Sequence, residues 1–280
     1  MKKGEGALVD SDLTKQLEKL SKAVTERQKG AVIQLPLWPE PKRGTPNSFL
    51  RSALFAAVQG KDRQYLKNQT LSSLNGITVK FTGQQLDQSD LDVWEQAIHY
   101  ARVHPLGDTC HFSAHSFLKA IGRSNGKSQH DWLYGVFLRL TACAVEISHE
   151  GKTYFGPLIK FGLKDEASKQ YCLELNRELI RLFGENQWTA VDWEQRQLLT
   201  RQPLAAWLHA FLSSHRKPHP MKVQTLAELS GSRNIQTASF KRQLLKALDR
   251  LVEIGFLVSY LVKGDLITVE RTQMQIAAAK

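Results

Sequence analysis

The sequence predicts an α+β protein in which one arrangement, helix, turn, helix and β-hairpin, occurs twice in tandem after a flexible N-terminal segment. In residues 113–159, apolar residues recur at helical spacing on both sides of a polar turn, and two stretches of alternating polarity follow. The same order returns in residues 223–269. Because this is the order of a winged helix-turn-helix, we expect two winged-helix domains, each with a β-hairpin wing.

The length and composition fit a soluble protein with more than one core. A chain of 280 residues is long enough for two domains. No apolar run approaches the ~20 residues of a membrane span, and no apolar stretch of a secretory signal follows the N-terminus. Cys110, Cys143 and Cys172 form no Cys-x-x-Cys pair, which argues against a disulfide framework and a zinc ribbon. We therefore expect a cytoplasmic protein that does not bind membranes.

Composition divides the chain into four parts. Residues 1–46 hold an amphipathic helix, from Asp10 to Gln28, and then a proline-rich tether. Residues 47–190 and 191–272 are the two predicted winged-helix domains, and residues 273–280 are a tail.

The predicted elements of the first domain end in a wing. A strand around Val79 and a helix from Ser89 precede the helix pair, which covers 113–121 and 128–142. Residues 144–148 and 154–159 then form the predicted first wing, with Lys152 in its turn.

The second domain is predicted from the same features. A helix at 203–214 precedes the pair, a short helix at 223–229 and a long one that opens at Thr237 or Ser239. Residues 256–269 form the second predicted wing, with Lys263 in its turn.

Charge is concentrated in the C-terminal third. The net charge is +11, and residues 195–280 hold 13 Lys and Arg against 5 Asp and Glu, whereas residues 46–194 are balanced. A basic region of this kind is typical of a nucleic-acid binder, although a merely solvated basic surface has the same composition.

The outward face of the second helix of each pair carries the candidate DNA contacts, since that helix enters the major groove. In the second domain these candidates are Arg233, Asn234, Gln236, Ser239, Lys241, Arg242, Gln243, Lys246 and the wing residue Lys263. In the first domain they are Arg123, Ser124, Asn125, Lys127, Ser128, Gln129, His130, Tyr134 and the wing residue Lys152. Routine solubilising charge is the alternative interpretation of both sets.

Catalytic and metal motifs are weak. Residues 122–128 resemble a phosphate-binding loop but have three intervening residues where four are required, and they follow a helix instead of a strand. Cys110, His111 and His115 lie close in sequence without a second ligand pair at zinc-finger spacing. We expect no enzyme activity, no cofactor and no metal.

Three stretches, Phe112–Ser128, Leu138–Ile147 and Ser239–Asp249, resemble the TrfA-type replication initiators of broad-host-range IncP plasmids, and the likeness extends from about Val32 to Thr272. The resemblance implies a bacterial initiator that binds direct repeats, called iterons, at a plasmid origin and opens an adjacent AT-rich segment. It also implies recruitment of the host initiator DnaA and the replicative helicase. Active monomers in this family are in equilibrium with homodimers that restrain copy number.

A short peptide in the proline-rich tether is a candidate docking motif. Gln34, Leu35, Leu37 and Trp38 place apolar side chains in a linker that has no core to receive them, which favours a partner's pocket. The peptide resembles the family's Gln-Leu-x-Leu-Phe motif, which docks on the sliding clamp, with Trp in place of Phe. A surface that holds a separated DNA strand is a further hypothesis that the sequence does not locate.

Two other classes of function compete with an initiator. A transcriptional repressor would use the same winged helices but would not need the tether peptide, so alanine at Leu35 and Leu37 would leave its function intact. A relaxase or nuclease would cleave DNA in a metal-dependent nicking assay.

Overall fold

The computed structural model describes residues 35–272, except residues 75, 104–108, 150 and 234–236. The helix predicted at 10–28 and the tail at 273–280 lie outside these residues. The described residues form one compact unit. None of the helices in this part of the chain has the length and apolar character needed to span a bilayer.

Helices and strands alternate along the chain. The helices are α1 (Asn47–Leu50), α2 (Gln88–Ala101), α3 (Ala114–Ala120), α4 (Lys127–Ala142), α5 (Arg177–Ile180), α6 (Trp193–Gln197), α7 (Pro203–Ser213), α8 (Val223–Leu229) and α9 (Thr237–Glu253). The strands are β1 (Lys42–Pro46), β2 (Phe55–Ala56), β3 (Tyr65–Leu71), β4 (Thr78–Gln84), β5 (Leu86–Asp87), β6 (Thr109–Ser113), β7 (Ala144–His149), β8 (Lys152–Gly156), β9 (Ile159–Lys164), β10 (Gln170–Leu175), β11 (Trp188–Asp192), β12 (Met221–Lys222), β13 (Leu257–Lys263) and β14 (Leu266–Arg271). Single 3₁₀ turns lie at Gly60–Asp62 and Arg181–Phe183.

The second half of the chain has the predicted winged-helix fold. Helices α7, α8 and α9 pack on a sheet of order β12-β14-β13. In α9, Phe240, Leu244 and Leu251 lie on one face and are buried in the core that α7 completes. Strands β13 and β14 are antiparallel and form the predicted wing. The apolar period of 3.6 residues in α9 therefore determines which of its faces remains free.

The first half repeats this topology, but its wing is not the predicted one. Helices α2, α3 and α4 accompany a sheet of order β6-β10-β9, which matches β12-β14-β13 strand for strand. In both halves a strand precedes the short helix of the pair and joins a hairpin that follows the long helix. The wing of the first half is therefore the β9–β10 hairpin, and the prediction that residues 144–159 form it was wrong.

The hairpin β7–β8 belongs instead to a separate four-stranded antiparallel sheet of order β3-β4-β7-β8. Val79 of β4 lies opposite Ile147 of β7, and Phe81 lies opposite Val145. All four side chains are buried. Without β7, one edge of β4 would have no hydrogen-bonding partner. Because β7 pairs with β4, the β7–β8 hairpin lies in this sheet and not at the wing position.

Residues 35–46 are packed against the first half, contrary to the prediction of a solvated tether. Strand β1 pairs in antiparallel register with β11, from Lys42 opposite Asp192 to Pro46 opposite Trp188. A Cβ at Gly44 would lie 2.5 Å from the ring of Trp38, so only glycine lets the indole pack this closely on the strand. The pairing also places the predicted domain boundary at 190/191 inside β11.

Two sets of hydrogen bonds join the two halves, one just after α8 and one at Arg196 of α6. The Ala57 N–H donates to the Ser230 carbonyl at 2.7 Å, just beyond the C-terminus of α8. Arg196 of α6 is 2% exposed in its side chain and pairs with Asp92 of α2 at 2.7 Å. The same guanidinium donates to the Ala206 carbonyl of α7 at 2.6 Å and to the Gln88 carbonyl at 3.0 Å. Hydrogen bonds therefore fix the orientation of one half against the other.

Candidate nucleic-acid interface

The outward face of α9 presents hydrogen-bond donors to solvent. Arg242, Gln243 and Lys246 are exposed, on the side opposite the buried Phe240 and Leu244. Among the described residues, neither Arg242 nor Lys246 has a carboxylate within ion-pair distance. Like charges one helical turn apart repel mildly, and an anionic ligand would relieve that repulsion.

The remaining candidates in the second half divide into three groups. Arg233 and Lys263 are exposed, before α9 and at the β13–β14 turn. Ser239 is half-buried and engaged in a contact, and the Lys241 ammonium donates to the Gly264 carbonyl at 2.6 Å, so it ties the wing turn to α9. Asn234 and Gln236 lie outside the described residues.

In the first half, the loop before α4 and its first turn are exposed. Ser124, Asn125, Lys127 and Ser128 face solvent. The half-buried His130 ring lies 2.5 Å from the Asn125 side-chain oxygen, which ties the first turn of α4 to the loop. These groups could contact DNA without rearrangement.

Arg123 is engaged inside the protein. Its guanidinium lies 3.5 Å from the centre of the Trp132 ring and donates to the Gln129 side-chain oxygen at 3.1 Å. Burial lowers the pKa of Arg123, and Arg201 nearby lowers it further, while Asp92 and Asp87 oppose the shift. A contact from Arg123 or Gln129 to DNA would require this packing to open.

The outward face of α4 is less polar than that of α9. Tyr134 is exposed and the Lys164 ammonium lies 5.6 Å from its ring centre, while Leu138, one turn further, is also half exposed. Lys164 ends β9 and therefore belongs to the wing of this half. Lys164, which also pairs with Glu166 at 2.7 Å, is not among the predicted contacts, because the pattern of residues 144–159 predicts a wing at the preceding hairpin. The turn at 165–169, with an Asp and a Ser, was the available signal.

Lys152 does not lie on a wing. It is exposed at the start of β8, opposite His149, in the four-stranded sheet. Its predicted place on a wing is therefore wrong, and its contact with DNA stays a prediction.

The tether peptide is part of the core. Leu35 is 2% exposed and Trp38 4%, while Leu37 is 76% exposed and Gln34 lies outside the described residues. The Trp38 indole N–H donates to Nδ1 of His99 at 3.0 Å, and its ring stacks on Phe183 with 5.9 Å between centres. The prediction that this peptide has no core to join was wrong, because β1 brings it against α2.

The described residues contain no group of three or more His, Cys, Asp and Glu side chains arranged to hold a metal ion. Cys172 lies 3.8 Å from Nε2 of His111 across the β6–β10 pair.

Comparison with known proteins gives a family match over most of the chain. The family model described as TrfA protein matches residues 7–271. The plasmid replication initiator protein TrfA of Escherichia coli is 26% identical over 277 residues, covering 91% of this chain and 72% of the relative.

Solved structures share the fold at low identity. A crystal structure of domains 2 and 3 of RctB is 12% identical, covers 81% of this chain and 98% of that chain, and has a TM-score of 0.56. A crystal structure of the Pi initiator protein in complex with iteron DNA is 11% identical, covers 71% of this chain and all of that chain, and has a TM-score of 0.45. The predicted α+β fold with two winged helices is confirmed.

Proposed function

The chain belongs to the TrfA family, and on that premise we propose that it initiates plasmid replication by binding repeated double-stranded DNA sites, the iterons, at a plasmid origin. The observation that carries the proposal is the free donor face of α9, where Arg242, Gln243 and Lys246 are exposed and positioned as in a recognition helix. The family match supports the role in replication, and the geometry of α9 supports the binding of DNA.

In this proposal α9 lies in the major groove. Arg242 and Lys246 suit the acceptors of guanine, and Gln243 suits the paired donor and acceptor of adenine. The bond from Lys241 to the Gly264 carbonyl fixes the wing relative to α9. Lys263 at the wing turn then reaches the phosphate backbone, which positions the helix without reading sequence.

The first half would contribute a second set of contacts. Lys127 and Ser128 at the start of α4 are exposed and can reach phosphate. The tyrosine–lysine contact between α4 and the β9–β10 wing gives that half a mixed face, better suited to backbone contacts than to base edges. We therefore assign base reading mainly to α9.

Opening of an AT-rich segment follows from occupancy of several repeats. Initiators on adjacent iterons can bend or unwind DNA at a cost of a few kcal/mol, offset by the additional contacts. One separated strand would be held, and DnaA and the replicative helicase would be recruited, with monomers as the active form and homodimers restraining copy number. These events take place in the bacterial cytoplasm, and the chain's own part in them is binding rather than catalysis.

Contact with the sliding clamp through Gln34, Leu35, Leu37 and Trp38 requires residues 35–38 to leave the core. The cost includes the burial of Leu35 and Trp38 and the hydrogen bond to His99. A synthetic peptide of residues 32–40 should therefore bind the clamp more tightly than the intact chain does in surface plasmon resonance. A peptide with alanine at Leu35 and Leu37 is the control. Equal affinity of the intact chain and the peptide would contradict the need for release.

The test of the main proposal is fluorescence anisotropy of the purified chain on an iteron duplex and a scrambled duplex, over a salt series. We expect a preference of about 10³ or more for the iteron duplex, with affinity that falls steeply as salt rises. Arg242→Gln should reduce that preference by about 1–3 kcal/mol, and Arg242→Lys should retain more of it.

Arg181→Gln is the matched control, because Arg181 is exposed and already pairs with Glu178 at 2.7 Å. Equal affinity for the two duplexes, unchanged by Arg242→Gln, would refute the proposal. Metal-dependent nicking of either duplex would show an enzyme instead.

A transcriptional repressor uses the same surface and remains the second candidate. Leu35 is buried and has a structural role in either protein, so alanine at Leu35 no longer discriminates, whereas Leu37 is 76% exposed and Leu37→Ala alone still does. Replication of an origin plasmid in a host that supplies the chain distinguishes the two.

A further inference from the structure

A basic groove lies beside α9, and its walls come from both halves of the protein. It has a volume of about 810 Å³. The charged side chains that line it are Lys61, Asp62, Arg201, Arg233 and Lys246. Lys61 belongs to the first half and Arg201 to the link between α6 and α7, so neither lies on the recognition helix or the wing.

The loop that carries Lys61 is anchored in the core of the first half. Arg63, two residues on, pairs with Asp87 at 2.5 Å and with Asp90 at 3.0 Å, and its side chain is 7% exposed. Lys61 is therefore exposed to solvent at the rim of the groove, on a loop that Arg63 holds against the first half.

Arg201, which lines the groove, has an unfavourable backbone conformation. It is the third residue of a turn in which the Gln202 N–H donates to the Leu199 carbonyl at 3.0 Å, and its φ is +64°. Glycine or asparagine usually occupies such a position, because a side chain in the left-handed region is strained. An arginine held there against that preference points to a use for its charge.

The four cations have no carboxylate partner among the described residues. No salt bridge joins Lys61, Arg201, Arg233 or Lys246 to an acid there, and one carboxylate, Asp62, is present among the groove's lining side chains. Unpaired like charges around one groove repel each other, and a polyanion would remove the repulsion.

We propose that this groove holds the sugar-phosphate backbone of the DNA next to the major-groove site of α9, with Lys61 and Arg201 as its phosphate contacts. The inference rests on the proposed function, since it takes α9 as the reading helix. Arg233 and Lys246 connect the two sites, because they line the groove and lie on or next to α9. A backbone seated here touches both halves at once and holds them in their mutual orientation.

The test is the slope of log affinity against log salt concentration, measured by fluorescence anisotropy on an iteron duplex and on a scrambled duplex. This slope is negative, and removal of a cation that neutralises one phosphate should reduce its magnitude by about 0.9. We expect Arg201→Asn and Lys61→Gln each to lower it by about that amount, on both duplexes, and to weaken binding at fixed salt by roughly fivefold. The preference for the iteron duplex should not change.

Two controls separate an effect on phosphate binding from an effect on folding. Asparagine tolerates a positive φ, so Arg201→Asn should leave urea denaturation unchanged or shift its midpoint upward. Arg201→Lys retains the charge and should retain the wild-type salt slope, and Arg181→Gln should also retain it.

Wild-type salt slopes in both Arg201→Asn and Lys61→Gln would overturn the groove proposal. A reduced preference for the iteron duplex in Arg242→Gln would then still support α9 as the recognition helix. Equal binding of the wild type to both duplexes would refute the proposed function, and the slopes of the variants would still decide the groove. If the wild type binds neither duplex, both proposals fail.

Discussion

Replacement of Arg196 by methionine tests whether the two halves are held together by polar contacts. The guanidinium joins Asp92 and the Gln88 carbonyl of α2 to the Ala206 carbonyl of α7, at 2.6–3.0 Å. Methionine preserves most of the packing of the arginine stem but removes all three hydrogen bonds. It leaves Asp92 without its cation.

The magnitude follows from the burial of the partners. Breaking a buried ion pair by removing one partner costs about 3–5 kcal/mol. The side chain of Asp92 is 32% exposed and can take up water after the change, so the lower end applies. We expect the free energy of unfolding to fall by about 3 kcal/mol, a large part of the 5–15 kcal/mol typical of a folded protein.

Urea denaturation followed by tryptophan fluorescence and by far-UV circular dichroism measures this change. Lys160→Met is the control, because Lys160 forms an exposed pair with Glu174 that should contribute less than about 1 kcal/mol. If the two halves of the Arg196→Met variant unfold separately, tryptophan fluorescence and circular dichroism should also give different midpoints of urea denaturation. A destabilisation no larger than that of Lys160→Met, with coincident midpoints, would refute the role assigned to Arg196.

Three further predictions concern pH, packing and the wing. Burial raises the pKa of Glu95 from 4.5 to about 7, so the folded chain holds a proton at Glu95 that the unfolded chain releases, and the contribution of this carboxyl to stability should fall as pH rises from about 4.5 to 7. His99 and His209 act in the opposite direction, because burial lowers their pKa values to about 4 and about 3. The melting temperature of Glu95→Gln relative to wild type should therefore rise over this pH range, with Glu95→Gln the more stable protein at pH 8. Gly231→Ala should destabilise by more than Gly255→Ala in urea, because both have positive φ but a Cβ at Gly231 would lie 2.7 Å from a methyl group of the first half, whereas none lies within 4 Å at Gly255; equal destabilisation would contradict the contact. Lys169, in the β9–β10 turn, pairs with Glu166 at 3.3 Å, a contact that a phosphate would replace, so Lys169→Gln should weaken DNA binding in a salt-dependent way. Lys152→Gln should not, and the reverse order would place the DNA contact at β7–β8.

The elements of the second half could be predicted from the sequence because their signals are local. The apolar spacing of Phe240, Leu244 and Leu251 predicts both the long helix and the face it buries. Pro203 begins α7 where a proline is tolerated, and the turn at Gly264 separates two alternating strands. The exposed positions of Arg242 and Lys246 follow from the same periodicity.

The choice between two hairpins could not be made from local pattern. Residues 144–156 and 159–175 both read as strand, turn and strand, and alternation describes a strand without naming its partner. The pairing of Val79 with Ile147 and of Phe81 with Val145 decides which hairpin joins the four-stranded sheet. The comparison of β6-β10-β9 with β12-β14-β13 then identifies the wing.

The sequence by itself determined the fold class, the family and the donor face of α9, since each depends on residue types at short, regular spacing. The tertiary structure alone decided that Trp38 is buried, that Arg123 is engaged by Trp132, and that Lys61 and Arg201 share a groove with α9. Those contacts join residues that are distant along the chain, or a loop residue to a helix, and the periodicity of a single helix does not predict them. Their energies depend on which surfaces meet, and that information appears only when the whole chain has folded.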